Sequence, residues 1–357
     1  MKINKIPLPF LVLSLLAFVF ALWAGLLRLG WRLPIPVASL AMLHGPLMIS
    51  GFLGALIALE RVAALQIRWM YGVPLLAATG WLASLLMQNQ PFGAILFAAA
   101  SAGGVIILGH IVRREFALHT VVMFLGTLAW LLGNIFWLTG SAVFQVVFWW
   151  QAFLILTILG ERLELNRVLK PSPRQQNIFA VVTVVFTAGV IVTLFNLQLG
   201  ARLSGLGMLA LALWSIPNDI AWRNLRHRLP LTRYIAWCLA LGFLWMGAGG
   251  VINLVYGAQA AGPRYDAALH AVFVGFVISM IFGHAPIISP ALLGVPINFQ
   301  KSFYIHLVLL HLSLILRLAG DLANIFSLRM WGGLMNEAAI LLFLGMTIYS
   351  VRRSLKN

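Results

Sequence analysis

Twelve apolar runs, each long enough to cross a lipid bilayer, follow one another with only short polar joints between them. We place them at 8–28, 36–61, 71–88, 93–112, 117–139, 143–162, 177–196, 202–217, 233–256, 265–286, 302–319 and 330–350. A hydrocarbon core about 30 Å thick takes about 20 helical residues. Inside it every backbone N–H and C=O needs an internal partner, which admits only helices or a closed barrel. Runs this long and this continuously apolar specify helices. The expected fold is therefore all-α: a polytopic membrane bundle of 12 transmembrane helices, one integral membrane domain over residues 1–357. With 62% hydrophobic and 9% charged residues, a water-soluble core is excluded.

The positive charges orient the bundle. With the N-terminus on the cytoplasmic side, only Arg28, Arg32, Arg202, Arg264, Arg317 and Arg329 of the 24 Lys and Arg fall outside the cytoplasmic segments. Both termini are then cytoplasmic, and one span more or fewer would scramble the division. The net charge of +16 thus sits in short loops on one side, where it marks topology and meets anionic lipid, so nucleic acid is not an expected partner. Met1–Lys5 ahead of an apolar run has the outline of a signal peptide, but Leu8–Leu27 is long enough to span. One cysteine, Cys238, excludes an internal disulfide framework and any CxxC metal or redox motif.

Polar residues inside such runs are costly and point to function. Counted from the expected outer ends, His44 on the second span, His270 on the tenth and His311 on the eleventh stand at one level, about 8–12 Å below the surface. A second group, His110, His119, His284 and His306, lies near the cytoplasmic boundary, and His227 sits in a basic loop. On an α-helix His270 and His284 would share a face, about 21 Å apart. A single buried histidine commonly satisfies itself on a neighbouring carbonyl or hydroxyl. Three at one level suit metal or haem ligation, for which neutral imidazole is the usual nitrogen donor. Glu60–Arg61 and Glu161–Arg162 close two outside-to-inside spans and are either interfacial ion pairs or a proton entry. Asp266 and Asp321, on the outer side near Arg264 and Arg317 or Arg329, would pair with these arginines or with the propionates of a haem.

A faint repeat accompanies these residues. Spans two, six and ten run in the same direction; the second reaches Gly51-Phe52 and the tenth Gly275-Phe276, while the sixth shares the Glu-Arg ending. Three four-helix units would make a pseudo-threefold 4+4+4 bundle with these spans inside.

The stretch HGPLMISGFLG, 44–54, resembles the second-helix haem-ligand region of haem–copper oxidases and bacterial nitric oxide reductases. Leu269-His270, Val274-Gly275, Met280 and Gly283-His284 are similar to the tenth span of the NnrS family, twelve-span haem- and copper-containing membrane proteins linked to nitric oxide stress. Arg317-Leu318-Ala319-Gly320 looks like that family's eleventh-span ending. The departures are as informative. The oxidase group carries a histidine on its sixth helix, a pair on its seventh and two close together on its tenth. Here 143–162 and 177–196 have none, and His270 and His284 are far apart. An NnrS-like second span shows His followed by Glu-Met, whereas His44 precedes Gly45-Pro46. A conventional oxidase copper site is therefore not expected.

The resemblance implies a haem b protein of the bacterial inner membrane acting on nitric oxide as an oxidoreductase or tolerance factor. In that expectation His44 and His270 bind the haem, with Arg317 beside its propionates. His311 holds a second haem, a copper or a non-haem iron and is catalytic, with protons entering by Glu60 or Glu161 from inside or by Asp266 and Asp321 from outside. His284 and His306 form a further candidate copper site. Electrons would come from quinol or a redox protein, since no CxxCH haem attachment is present. An oligomer is compatible with this arrangement. The alternatives are a twelve-helix secondary transporter and a gas sensor that binds haem without turnover.

Overall fold

The computed structural model describes residues 6–87 and 90–356, apart from the side chains of residues 291 and 356. Among them there is no strand, and twelve helices are long and apolar enough to cross a membrane. They are α1 (Leu8–Arg28), α2 (Leu40–Leu65), α3 (Arg68–Leu86), α4 (Gln90–Arg114), α5 (Leu118–Leu138) and α6 (Val143–Leu169). The others are α7 (Pro173–Val192), α8 (Leu197–Asn218), α9 (Pro230–Tyr256), α10 (Pro263–Pro290), α11 (Phe303–Leu322) and α12 (Phe326–Leu355). Lys2, Lys5, the side chain of Lys356 and the end of the third expected span at residue 88 lie outside the described residues.

The expected all-α membrane bundle is what the chain forms. Its helix ends are set by local chemistry that hydropathy does not see. Pro34 and Pro36 keep the approach to α2 non-helical, so α2 begins at Leu40 and not at 36. α7 begins four residues earlier than its apolar run, because Ser172 and Gln175 form a reciprocal cap that makes a helical turn of Pro173–Gln176. It stops at Val192, since Asn196 leaves the helix and accepts a hydrogen bond from the Leu199 N–H (3.0 Å), opening α8. α9 and α10 each start with a proline in the first turn.

The chain packs as two compact units, Met1–Phe153 with Ile288–Pro296, and Leu154–Ile287 with Ile297–Asn357. In the first, α1 lies on α2, and α3, α4 and α5 pack in sequence. In the second, α7, α8 and α9 pack in sequence, α9 meets α10, and α11 packs on both α10 and α12. The apolar windows of α6 and α10 are the most buried, at 83 and 67%, followed by α2 and α9, each at 61%.

α2 and α10 share a second property. Each contains an eight-residue π-helical stretch, Leu47–Gly54 and Ala271–Ile278. Gly51-Phe52 and Gly275-Phe276 occupy the same two positions in these stretches, so the faint sequence repeat has a backbone counterpart. Each stretch also holds a glycine pressed against an indole. A Cβ on Gly54 would lie 2.3 Å from Trp130 Cζ2, and one on Gly275 2.4 Å from Trp245 Cγ. Small residues allow such close approach in a bilayer, where packing rather than water exclusion holds helices together. The π turn also corrects an expectation. It turns less per residue than an α-helix, so His270 and His284 are not related by the simple 100° step that put them on one face.

Candidate functional site

The outer end of the second unit gathers five ionisable side chains. Asp266 stands in the first turn of α10, where a negative charge suits the helix dipole. Arg317, near the end of α11, grips it with two bonds, Nε to Oδ2 at 2.8 Å and Nη2 to Oδ1 at 2.9 Å. The same Nη2 is 3.2 Å from His270 Nε2. That ring nitrogen must accept, so Nδ1 carries the proton; it lies 2.9 Å from the Asp266 carbonyl and 3.2 Å from its Oδ1. From α12, Arg329 Nε is 3.2 Å from Asp321 Oδ1 and 3.8 Å from Asp266 Oδ2. Two arginines stand against two aspartates in this buried group, and the two-bond pair of Arg317 with Asp266 is its tightest contact. Both Arg317 and Arg329 thus take up the pairing expected of them, while Arg264 lies over the Tyr256 ring, 4.6 Å from its centroid.

His311 is elsewhere. Its Nδ1 accepts from the indole N–H of Trp245 (2.9 Å), which leaves the ring proton on Nε2, 3.4 Å from Ser279 Oγ. Ser279 in turn donates to the Cys238 carbonyl at 2.8 Å. This corrects the expected common level. His270 is level with Arg317, but His311 lies six residues before Arg317 on α11, about 9 Å deeper. The sequence estimate counted from a helix end at 319, whereas α11 continues to Leu322. His311 also has both nitrogens engaged, so a metal there would have to displace the Ser279 contact and the Nε2 proton.

At the other end of the unit, the partner of Arg162 is not its neighbour Glu161. Arg162 is bidentate on Asp219, Nη2 to Oδ1 at 2.7 Å and Nε to Oδ2 at 3.0 Å, and Asn166 Nδ2 adds a third bond at 3.0 Å. Asp219 also caps the short helix Ile220–Asn224 through the Ala221 N–H. His284 faces this group, close to Glu161, Arg162 and Asp219. Its Nδ1 is 2.7 Å from the Met280 carbonyl, and its buried Nε2 has no hydrogen-bond partner. His306 does not join it. His306 Nε2 is 2.8 Å from Tyr234 Oη and its Nδ1 is 3.5 Å from Met346 Sδ. The reason is angular: Phe282 faces His306, and two helical steps carry position 284 about 200° round α10. The paired His284–His306 copper site is therefore not formed.

In the first unit, His44 Nδ1 is 2.8 Å from the Ala21 carbonyl of α1. Nearby, Asn134 anchors the π turn of α2. Its Oδ1 accepts from Ser50 (3.0 Å) and Trp150 (3.1 Å), and its Nδ2 donates to the Phe97 carbonyl (3.1 Å). Glu60 closes α2 half-buried. Among the described residues no three of His, Cys, Asp and Glu are grouped as a metal ion bound by such a set requires. Asp219, Tyr234, Trp245 and Ser279 were not singled out by the sequence; only Asp219, as one of eight acidic residues, carried a signal.

A family model described as "Domain of unknown function (DUF8744)" matches residues 7–352. No curated protein and no solved structure matches the chain.

Proposed function

The chain belongs to the DUF8744 family, whose description assigns no activity, and from its own residues we propose a haem-b-binding membrane protein that acts on nitric oxide. It is an oxidoreductase or a tolerance factor, with His44 and His270 as ligands. The observation that carries this reading is the setting of the two imidazoles. Each precedes a π-helical stretch, and each has Nδ1 on a main-chain carbonyl, at 2.8 and 2.9 Å. A histidine tied in this way keeps its proton on Nδ1 and its lone pair on Nε2, the form in which it ligates. One or two such nitrogens suffice for a haem, which needs no cluster of three side chains. Bound haem would supply the redox chemistry and the binding of the diatomic gas.

The chain's own residues do the rest. Arg317 Nη2, now on His270 Nε2, would move to an anionic ring substituent while its second bond keeps Asp266 neutralised. Glu161, beside His284, is the favoured proton donor from the cytoplasmic side. His284, with an unshared buried nitrogen, is the residue that carries the expectation of a second metal, copper or non-haem iron. His311 enters as a hydrogen-bonded neighbour and not as a ligand. The apolar bundle admits a neutral gas from the bilayer, and electrons come from quinol or a redox protein. The Arg-rich loops fit a bacterial inner membrane with both termini cytoplasmic.

The test is a reduced-minus-oxidised spectrum of the purified protein with haem and metal analysis, beside His44→Ala and His270→Ala. Haem bands that vanish in both variants support the reading. A colourless, metal-free protein that also fails to take up added haem removes it. Secondary transport would then lead, favoured by the π turn in α10 beside a buried ion pair.

A further inference from the structure

One buried constellation is not used by the haem reading: Tyr234 on α9, His306 on α11 and the sulfur atoms beside them. Tyr234 and His306 are both 0% exposed. A thioether only accepts, so the contact of His306 Nδ1 with Met346 Sδ leaves the ring proton on Nδ1. Nε2 is then the acceptor, and the Tyr234 hydroxyl donates to it across 2.8 Å. Cys238, fully buried, stands one turn along α9 from Tyr234. Aromatic rings close the space. Phe282, Phe343 and Phe303 have centroids 4.8, 5.3 and 5.6 Å from the His306 ring, and Tyr304 stands 5.5 Å from Tyr234.

We propose that Tyr234 and His306 form a proton-coupled one-electron redox pair. The oxidant is a small apolar radical that dissolves in the bilayer, nitrogen dioxide being the representative. One electron leaves the Tyr234 phenol and converts nitrogen dioxide to nitrite. The phenolic O–H bond breaks, and its proton passes to His306 Nε2. The products are a neutral tyrosyl radical, an imidazolium and nitrite, so charge and atoms balance and no proton enters the solvent. In the resting pair the proton stays on Tyr234, because a phenol is a much weaker acid than an imidazolium.

The surroundings suit this step. Oxidising a buried phenol without an acceptor would leave its charge unsolvated, which is costly in an apolar interior. Here the acceptor is already in line. The imidazolium forms among three aromatic rings within about 6 Å, the range in which ring faces stabilise a cation. Tyr304, half-buried and in ring contact with Tyr234, gives the oxidising equivalent a path to reductants at the surface. This pair is independent of the haem proposal and stands or falls separately.

The experiment exposes the purified full-length protein to nitrogen dioxide generated by pulse radiolysis. Absorbance follows the reaction, and electron paramagnetic resonance of freeze-quenched samples identifies the radical. Ring-deuterated tyrosine distinguishes a tyrosyl from a tryptophanyl radical, and the variants tell which of the six tyrosines carries it. A tyrosyl signal in the wild type is expected, lost in Tyr234→Phe and kept in Tyr304→Phe. Its formation should slow in deuterium oxide, and His306→Leu should abolish that solvent effect. Isotopically labelled histidine in the unsubstituted protein covers the case of a variant that does not fold: the radical must couple to an imidazole nitrogen. An absent tyrosyl signal, one unchanged in Tyr234→Phe, or one without imidazole coupling overturns the proposal.

Discussion

Replacing Asp219 by alanine tests whether the inner end of the second unit is held by a buried charge pair. Arg162 and Asp219 are 4% and 2% exposed, and two of the guanidinium nitrogens end on the same carboxylate. Asp219→Ala leaves that guanidinium buried without its counter-charge, which costs about 3–5 kcal/mol. It also removes the cap of Ile220–Asn224, worth about 1 kcal/mol. Both losses come from one carboxylate and will not add fully, so the expected destabilisation is about 4–6 kcal/mol as an upper range. Arg162→Leu with Asp219→Leu removes both charges together. A well-packed apolar pair is neutral or better than a buried ion pair, so the double variant should recover all but about 1 kcal/mol, the cap. The assay is reversible unfolding in mixed micelles with increasing SDS, read by tryptophan fluorescence. If Asp219→Ala unfolds within about 1 kcal/mol of the wild type, the carboxylate does not carry the pair. A double variant as unstable as the single one would equally refute the account.

Three further outcomes follow from the same structure. Gly275→Ala sets a methyl 2.4 Å from Trp245 Cγ and should destabilise by about 1–3 kcal/mol in the same assay, whereas Gly345→Ala, with open space around it, should be neutral. Arg317→Ala strips Asp266 of its two-bond partner and should cost about 3–5 kcal/mol, while Arg264→Ala, losing one exposed ring contact, should cost about 1 kcal/mol or less. A cysteine at Val168, 71% exposed, should react with an impermeant maleimide only from the cytoplasmic side, and one at Phe195, 85% exposed, only from the opposite side. Cys238, fully buried, should stay unlabelled until the protein unfolds.

The histidines show how far the sequence carried the site. His270, Arg317 and Asp266 were legible because charge inside a bilayer-length run must find its complement, and few candidates exist at one depth. The level of His311 was not, because it depends on where α11 ends, and hydropathy does not register the last polar turn through Asp321. Nor was the separation of His284 from His306, which turns on which side of α10 each residue faces after a π stretch. Tyr234 and Trp245 were invisible as partners: an aromatic residue in an apolar run gives no sign of where its polar atom points.

What the sequence determined by itself is the class, the number of spans and the expected orientation. These follow from the cost of exposing backbone and charge to lipid, which is paid residue by residue and can be read locally. Tertiary structure alone decided that α2 and α10 carry π turns, that Arg162 pairs with Asp219 and not with Glu161, and that His306 belongs to a tyrosine. Hydrogen bonds between helices depend on rotation and register to within an ångström. That precision comes from packing, such as the fit of Gly275 against Trp245, and no periodicity in the chain encodes it.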